Sequence, residues 1–194
     1  MNDTKERLIR TGEEMFRRQG YAGSGLKQLV AEAQAPWGSL YHFFPQGKEQ
    51  LGEEVLAYAA QLYAAGWDRI FAAFPDPVEA VRRAFRAEVK TLETSGFAHG
   101  CPIASVTLDV ASTVEGLRLS CAAAFQTWIE AITRGLLKGG VPELAASDLA
   151  VFILSSLEGA IVLSRAARST RALKQTGAYV ELAVAAALGR QPPA

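Results

Sequence analysis

Two short amphipathic segments separated by a proline, within Ser24 to Lys48, constrain the fold of this chain more than any other feature. In the first segment, apolar residues recur at the spacing of one helical face; they are Leu26, Leu29, Val30 and Ala33. Pro36 disfavours helical geometry at Ala35 and suits the first turn of a new helix, so the chain breaks and restarts there. The segment therefore predicts one short helix, a tight turn and a second helix from about Trp37 to Phe44.

The second helix is predicted to turn small, hydroxyl-bearing and aromatic side chains outward. Leu40 and Phe44 lie one turn apart and are expected to face the first helix. The outward positions are then Gly38, Ser39, Tyr41 and His42. Pro45 and Gly47 end the helix, and Ser24 is placed to cap the first helix with its side-chain oxygen. Two helices that cross at a turn, with the second exposing such groups, suit insertion into the DNA major groove.

The same residues resemble the DNA-binding signature of the TetR family of bacterial repressors. The resemblance rests on GY-x-x-S at Gly20 to Ser24, followed by P-x-GSLYHFFP-x-GKE at Pro36 to Glu49. It is close from Leu8 to Leu56, and GCPIASVTLDVA at Gly100 to Ala111 is similar to the branch with multidrug-type and lincomycin-resistance repressors. The resemblance implies a repressor that binds a near-palindromic operator as a homodimer and is released by a small-molecule inducer.

Three residues depart from the pattern of the TetR family. Gln34 stands where the family usually has a turn glycine, so a residue with a Cβ is expected in a left-handed conformation. Trp37 replaces a frequent lysine at the start of the second helix, which exchanges a phosphate-seeking charge for a large indole. Phe43 replaces a histidine or tyrosine and cannot donate a hydrogen bond, so its spacing favours a core position. We therefore expect an unusual DNA sequence preference.

The resemblance assigns DNA contacts to the matching positions of this chain. Residues expected to bind phosphates are Ser24, Lys27, Tyr41, His42 and Lys48, and residues expected to approach base edges are Trp37, Gly38 and Ser39. Lys48 also starts the next predicted helix, where its charge and the free backbone N–H groups together attract a phosphate. No catalytic residue, metal ligand or cofactor site is predicted.

The remaining chain shows helical periodicity and no strand pattern. Further helices are predicted at Asp3 to Gly20, Lys48 to Phe74, Pro77 to about Ser95, Ser112 to Gly139, about Ser147 to Arg168 and about Thr170 to Leu188, and a short segment without an assigned structure is left at Ile103 to Ala111. Asp76 is expected to cap the helix that starts at Pro77. The predicted fold is all-α: a three-helix helix-turn-helix domain over residues 1–47, joined by a shared long helix to a helical ligand-binding and dimerisation domain over residues 48–194.

The predicted inducer site gathers aromatic, sulfur and hydroxyl side chains of the larger domain. They are Phe85, Phe97, Cys101, Ser105, Cys121, Phe125, Trp128 and Phe152. By default such residues form a core, but the resemblance implies a cavity, and small-molecule pockets between helices are largely apolar. Further polar contacts are expected from Thr107 or Glu158. The expected ligand is planar, apolar and aromatic.

The predicted dimer interface lies on the last two helices, because the first of them is more apolar than one core needs. Its residues are Phe152, Leu157, Gly159, Ala160, Ile161, Tyr179, Leu182, Ala183 and Ala186. Gly159 and Ala160 would permit close approach, and two copies would form a four-helix contact. An ordinary intramolecular core is the alternative interpretation.

Charge, cysteine content and hydropathy place limits on these hypotheses. Twenty Lys and Arg residues balance twenty Asp and Glu residues, so the case for DNA rests on the local motif rather than on a global positive field. Cys101 and Cys121 lack CxxC spacing and are expected in the core, with a thiol sensor as the less favoured alternative. Because the chain shows neither an apolar run of about twenty residues nor a signal-peptide core, a cytoplasmic protein is expected.

Two other classes of function stay open at this point. One is a helical small-molecule-binding protein or enzyme without a sequence-specific DNA role. His42 and His99 have no carboxylates or histidines at metal-ligand spacing, and Ser39 has no evident base, so catalysis is not favoured. The other is a helical protein-interaction module, which would show no preference for a DNA site over bulk DNA.

Overall fold

A computed structural model describes residues 3–190 of the chain, and nine α-helices span most of that range. Their bounds are α1 (Asp3–Gln19), α2 (Leu26–Glu32), α3 (Trp37–Phe43), α4 (Lys48–Ala73), α5 (Pro77–Thr94), α6 (Pro102–Val110), α7 (Glu115–Lys138), α8 (Glu143–Ala167) and α9 (Arg171–Ala187). The predicted all-α fold is confirmed. Most predicted helix ends lie close to the observed ones, and the starts of α7 and α8 are the exceptions.

The predicted starts of α7 and α8 are both wrong, for different reasons. Residues 111–113 form a turn, so α7 begins at Glu115 rather than Ser112. Helix α8 begins at Glu143 rather than about Ser147, because the Pro142 carbonyl already accepts a backbone hydrogen bond from Ala146 at 3.0 Å. Pro142, which lies four residues after the end of α7, is thus the N-cap residue of α8.

The described chain divides into two compact units, and two helices contribute to both. The first unit comprises the residues up to Gln61 together with Cys101–Phe125, and the second comprises Leu62–Gly100 together with the residues from Gln126 onward. Helices α4 and α7 each begin in the first unit and end in the second. The domain boundary after residue 47 stays a prediction.

The first unit is organised around α1, which packs against α2, α3 and α6. The apolar stripe predicted for α1 is buried, and it includes Leu8, Ile9, Met15 and Phe16. Gly12 lies on the same face and lets α4 pack closely against α1, since a Cβ at this position would lie 2.7 Å from Cγ2 of Val55. Helices α2 and α3 therefore pack on a core to which the buried face of α1 contributes.

The second unit is organised around α9, which packs along both α5 and α8. The ring of Phe85 on α5 lies against Gly177 of α9, where a Cβ would come within 3.1 Å of the ring. Arg82 and Glu181 link the same two helices by an ion pair of 2.8 Å. The predicted cap of α5 is confirmed, because the Asp76 carboxylate accepts a hydrogen bond from the Val78 N–H at 3.3 Å.

Helix α8 is the most apolar long helix of the described residues. By length and composition alone it is the one helix among residues 3–190 that could cross a membrane. The core helix of a soluble protein passes the same test. In this chain Ala150, Ile153 and Leu154 of α8 are buried within the second unit, as expected of such a core helix.

Candidate nucleic-acid interface

Helices α2 and α3 form the predicted helix-turn-helix, and the turn between them has the predicted left-handed residue. Gln34 adopts a φ of 49°, which lets the Ala35 N–H donate to the Val30 carbonyl at 3.1 Å. Arg7 of α1 donates to the Ala33 carbonyl at 3.1 Å and so holds the end of α2. The turn is therefore fixed by hydrogen bonds on both sides despite the missing glycine.

The inward face of the motif is buried as predicted. Leu40 and Phe44 are fully buried in the first unit, and Leu29 of α2 is buried with them. Phe43, expected in the core, is only half-buried and contacts the His42 ring at a centroid distance of 4.8 Å. The apolar spacing of α3 therefore predicted the burial of Leu40 and Phe44 correctly, but it predicted a more buried position for Phe43 than the structure has.

The outward face of α3 carries an exposed pair of aromatic rings. Trp37 is 47% exposed and Tyr41 is 50% exposed. Their ring centroids lie 6.0 Å apart with an interplanar angle of 74°, an edge-to-face contact. Around Gly38 the space is open, His42 is exposed and Ser39 is half-buried. The side chains predicted to approach DNA from α3 thus lie together on one accessible surface.

Ser24 has a different position from the one predicted. Helix α2 begins with Gly25 as its N-cap, and no side chain caps it, so the predicted capping role of Ser24 is wrong. The Ser24 hydroxyl is buried and donates to the Gly20 carbonyl at 2.6 Å. Its proton is therefore committed to the turn before α2, and the phosphate contact predicted for Ser24 stays a prediction.

Lys48 and Lys27, predicted to bind phosphate, differ in their surroundings. The Lys48 ammonium donates to the Tyr21 carbonyl at 2.7 Å and lies 4.3 Å from the centroid of the Tyr21 ring. Burial lowers the pKa of Lys48 below its ordinary value, and the nearby Asp109 carboxylate raises it in part. Lys27 is exposed and has no hydrogen bond or ion pair within residues 3–190. Of these two lysines, Lys27 is thus the more accessible cation.

Asp109 of α6 is a residue of the interface region that the sequence did not reveal. Its carboxylate accepts a hydrogen bond from the Ala22 N–H at 3.0 Å, in the turn between α1 and α2. Gly20 of that turn has a φ of 71°, and a Cβ there would lie 2.4 Å from the same carboxylate oxygen. The two partners are 87 positions apart, and no local pattern connects them. Helix α6 is thereby tied to the segment that leads into the motif.

The residues predicted for an inducer site divide between the two units. In the first unit Cys101 and Cys121 are buried, and the Cys101 sulfur accepts a hydrogen bond from the Ala104 N–H at 3.3 Å, which caps α6. Ser105 and Phe125 are half-buried in this unit. Burial raises the pKa of the Cys121 thiol, and a hydrogen bond with Thr107 lowers it in part.

In the second unit Phe85 and Trp128 are buried, and Phe152 is 47% exposed on α8. Trp128 contacts Tyr63 at a centroid distance of 5.3 Å. Phe97 is half-buried and has a φ of 65°, and its carbonyl lies 3.5 Å from the guanidinium of Arg165. Within each unit these residues pack in the core or stabilise a loop. Their role in binding a ligand stays a prediction.

The residues predicted for the dimer interface fall into two groups. Ala160 and Ile161 are buried within their own unit, at 2% and 5% exposure, so little of either is accessible to a partner. The exposed or half-buried group is Phe152, Leu157, Gly159, Tyr179, Leu182, Ala183 and Ala186. Val162 and Leu163 of α8 are also exposed, at 50% and 63%, and were not in the predicted set.

Two family models match this chain and together cover most of its length. Residues 8–55 match the model described as bacterial regulatory proteins, tetR family. Residues 77–179 match the model described as transcriptional regulator LmrA/YxaF-like, C-terminal domain. The first match contains the helix-turn-helix described above, and the second covers more than half of the chain.

Individual relatives and solved structures agree with the family models. The uncharacterized HTH-type transcriptional regulator YxaF of Bacillus subtilis is 34% identical over 162 residues, which is 84% of this chain and 85% of the relative. The HTH-type transcriptional regulator LmrA of the same organism is 28% identical over 88% of this chain and 91% of its own length. A TetR transcriptional regulator from Legionella pneumophila has the same fold, with a TM-score of 0.82, 21% identity and coverage of 94% and 98% of the two chains.

Proposed function

This chain belongs to the TetR family of bacterial transcriptional regulators, and from that membership we propose how it acts. It is a cytoplasmic repressor that binds a near-palindromic operator as a homodimer. A small apolar or aromatic molecule that binds outside the helix-turn-helix releases the operator. The helix-turn-helix supplies sequence-specific DNA binding, and the family consists of regulators rather than enzymes.

The accessible face of α3 is the observation that carries this proposal. Trp37, Tyr41 and His42 are exposed there, on a short helix whose opposite face is anchored by Leu40. Large aromatic side chains exposed together on a soluble protein mark an interaction surface. A recognition helix of this kind enters the major groove with its N-terminal residues toward the bases.

The DNA contacts divide between base edges and phosphates. Trp37, Gly38 and Ser39 approach the bases, because they form the N-terminal turn of α3. Lys27, Tyr41 and His42 bind phosphates from the exposed surface around that helix. An ammonium has three donors, and Tyr21 uses one donor of Lys48, so the other two are available to a phosphate. The proposal omits the Ser24 side chain, because its proton is committed to Gly20.

The homodimer forms through an exposed apolar face of α8 together with α9. Side chains on this face include Val151, Phe152, Val162, Leu163, Tyr179 and Leu182. Gly159 lies among them on α8 and has open space around it, so a second helix can approach closely. A symmetric dimer places two recognition helices about one DNA turn apart, roughly 34 Å, which matches a near-palindromic site.

Selection of bound fragments from a genomic DNA pool tests the proposal. We expect the protein to enrich fragments that share a near-palindromic sequence, and to bind one such duplex at least about a thousandfold more tightly than bulk DNA at physiological salt. Ser39→Ala tests the base contacts of α3, since it should change the preferred sequence without unfolding the protein. Equal affinity for selected and bulk DNA would contradict the proposal and favour a helical binding protein without a sequence-specific DNA role.

A further inference from the structure

The chemistry of α3 is unusual for a helix that recognises bases. Its seven residues, Trp37–Phe43, include no Arg, Lys, Asn, Gln, Asp or Glu. These are the side chains whose hydrogen bonds distinguish guanine, adenine and cytosine in the major groove. Ser39, Tyr41 and His42 can each make single hydrogen bonds, but none can form the forked pair that identifies one base. Base recognition by α3 must therefore use another feature of the groove.

The feature that suits an apolar surface is the C5 methyl group of thymine, which projects into the major groove. Trp37 occupies the first position of α3, where recognition helices contact base edges. Its indole is 47% exposed, and Gly38 beside it has no side chain and open space around it, so a base edge can approach the ring from the side of Gly38. The indole offers an extended apolar face, whereas the other outward side chains of α3 are smaller or more polar.

Tyr41 fixes the position of that indole. It lies one helical turn after Trp37, and the two rings meet edge to face at 6.0 Å. An exposed tryptophan without such a neighbour would sample several rotamers, and ordering it on DNA would cost conformational entropy. The ring of Tyr41 therefore acts as a positioning group, while its hydroxyl stays available for a phosphate.

We infer that Trp37 recognises thymine in each operator half-site by apolar contact with the C5 methyl group, and that Tyr41 holds the indole for this contact. The inference rests on the proposed operator binding and names the base class that α3 selects. It also accounts for the absence of charged and amide side chains from α3. A methyl contact needs shape and apolar area, and it needs no forked hydrogen bond.

The test replaces thymine by deoxyuracil, which removes only the methyl group and preserves base pairing. The probe is a duplex that the wild-type protein selects from the genomic pool, made in versions with one symmetric pair of thymines changed at a time. Burial of one methyl contributes about fourfold in affinity, so two half-sites should give a loss of about fifteenfold at one symmetric pair. Substitution at the remaining pairs should change affinity by less than about twofold.

Variants of Trp37 and Tyr41 show which residue contacts the thymine methyl group and which one positions the indole. Trp37→Ala should bind the thymine and deoxyuracil duplexes equally at the sensitive pair, and circular dichroism checks that it is folded. Tyr41→Phe keeps the ring and should keep the deoxyuracil penalty, whereas Tyr41→Ala should reduce it. Lys27→Ala is the matched control, because loss of a phosphate contact lowers affinity for both duplexes by the same factor.

The outcomes separate this inference from the proposed function. If wild-type protein binds a selected duplex specifically and no deoxyuracil substitution weakens binding, the inference is wrong and the operator proposal stands. A deoxyuracil penalty that persists unchanged in folded Trp37→Ala also overturns the inference. If no duplex is preferred over bulk DNA, the operator proposal fails and the inference fails with it.

Discussion

The ammonium nitrogen of Lys48 lies 2.7 Å from the carbonyl oxygen of Tyr21 and 4.3 Å from the centre of its ring. Tyr21 also meets Phe16 edge to face at 5.7 Å, and a Cβ at Gly52 would lie 3.0 Å from its ring. The start of α4 is thereby fastened to the turn that leads into α2. Lys48 consequently supports the fold of the DNA-binding region in addition to any contact it makes with DNA.

Replacement of Lys48 by alanine should lower protein stability as well as operator affinity. A hydrogen bond from a charged donor and a partly exposed cation–π contact are lost together, so we expect the free energy of unfolding to fall by about 1 to 2 kcal/mol. Urea denaturation of wild type and Lys48→Ala measures this difference. Operator affinity is measured on the folded fraction by titration at several salt concentrations.

Lys27→Ala is the matched control for Lys48→Ala. Lys27 is exposed on α2 and has no partner within residues 3–190, so its loss should change the free energy of unfolding by less than about 0.5 kcal/mol. Binding to specific and bulk DNA should weaken alike, and the slope of log affinity against log salt should fall by about two, because the homodimer loses one phosphate contact in each protomer. Equal destabilisation by the two substitutions would show that the Tyr21 contact contributes nothing.

Asp109→Ala tests whether α6 supports the segment before α2. The substitution removes the acceptor of the Ala22 N–H, and we expect the free energy of unfolding to fall by about 1 kcal/mol. Hydrogen exchange at the Ala22 amide should accelerate as well, because the bond no longer protects it. Asp109→Asn is the control, since its side-chain oxygen can still accept the bond. Unchanged exchange at Ala22 in Asp109→Ala would contradict this role.

The sequence predicted the helix-turn-helix well because its determinants are local. Pro36 is the N-cap of α3, Phe44 is its C-cap, and the spacing of Leu40 and Phe44 identifies its buried face. The left-handed Gln34 followed from the family pattern at the turn and is confirmed. Each of these features depends on neighbours a few positions away, which periodicity and turn chemistry encode.

Features that depend on distant residues were missed. The Asp109 contact with Ala22 joins positions 87 apart, and a charged side chain carries no sequence signal of its partner. On α8, apolar residues occur nearly all round, so periodicity did not reveal which of them pack inside their own unit. Ala160, which was assigned to the dimer interface, is 2% exposed, and Leu163, which was not assigned to it, is 63% exposed; the interface itself stays a prediction.

Gly159→Arg should separate dimer formation from folding of the protomer. Gly159 is exposed on α8, and a Cβ there would meet no heavy atom within 4 Å, so a side chain can start from this position without a clash. Replacing a helical glycine also gains about 0.5 to 1 kcal/mol of helix propensity. We expect a folded monomer by analytical ultracentrifugation, with operator affinity reduced at least about a hundredfold because two half-sites no longer bind together.

Gly159→Ala is the control for the arginine variant. It has nearly the same gain in helix propensity but adds one methyl group and no charge, so we expect a dimer that binds the operator. A Gly159→Arg protein that remains a dimer would exclude this face of α8 from the interface. An additional Leu163→Arg variant examines the same face one turn further along the helix.

The two cysteines should resist modification in the native protein. Cys101 is 9% exposed and Cys121 is 2% exposed, and burial raises the pKa of the Cys121 thiol. A raised pKa lowers the thiolate fraction at neutral pH, and the thiolate is the reactive form. We expect labelling by a thiol reagent to be slow until urea unfolds the protein. Ser147→Cys supplies an exposed positive control, and rapid labelling of Cys101 or Cys121 would support the thiol-sensor alternative.

Inducer binding should be antagonistic to operator binding, because a ligand shifts an equilibrium only by its differential affinity for the two forms. Trp128 is buried beside Tyr63 in the second unit, and a Trp37→Phe, Trp67→Phe double variant leaves Trp128 as the single tryptophan, which can be excited selectively at wavelengths beyond tyrosine absorption. Planar aromatic compounds that bind should quench its emission. In wild-type protein, calorimetry should show that the operator lowers the affinity for the compound by a certain factor. The compound should lower the affinity for the operator by the same factor. Trp128→Phe should weaken compound binding and leave operator affinity unchanged, whereas equal compound affinity with and without operator would refute the release mechanism.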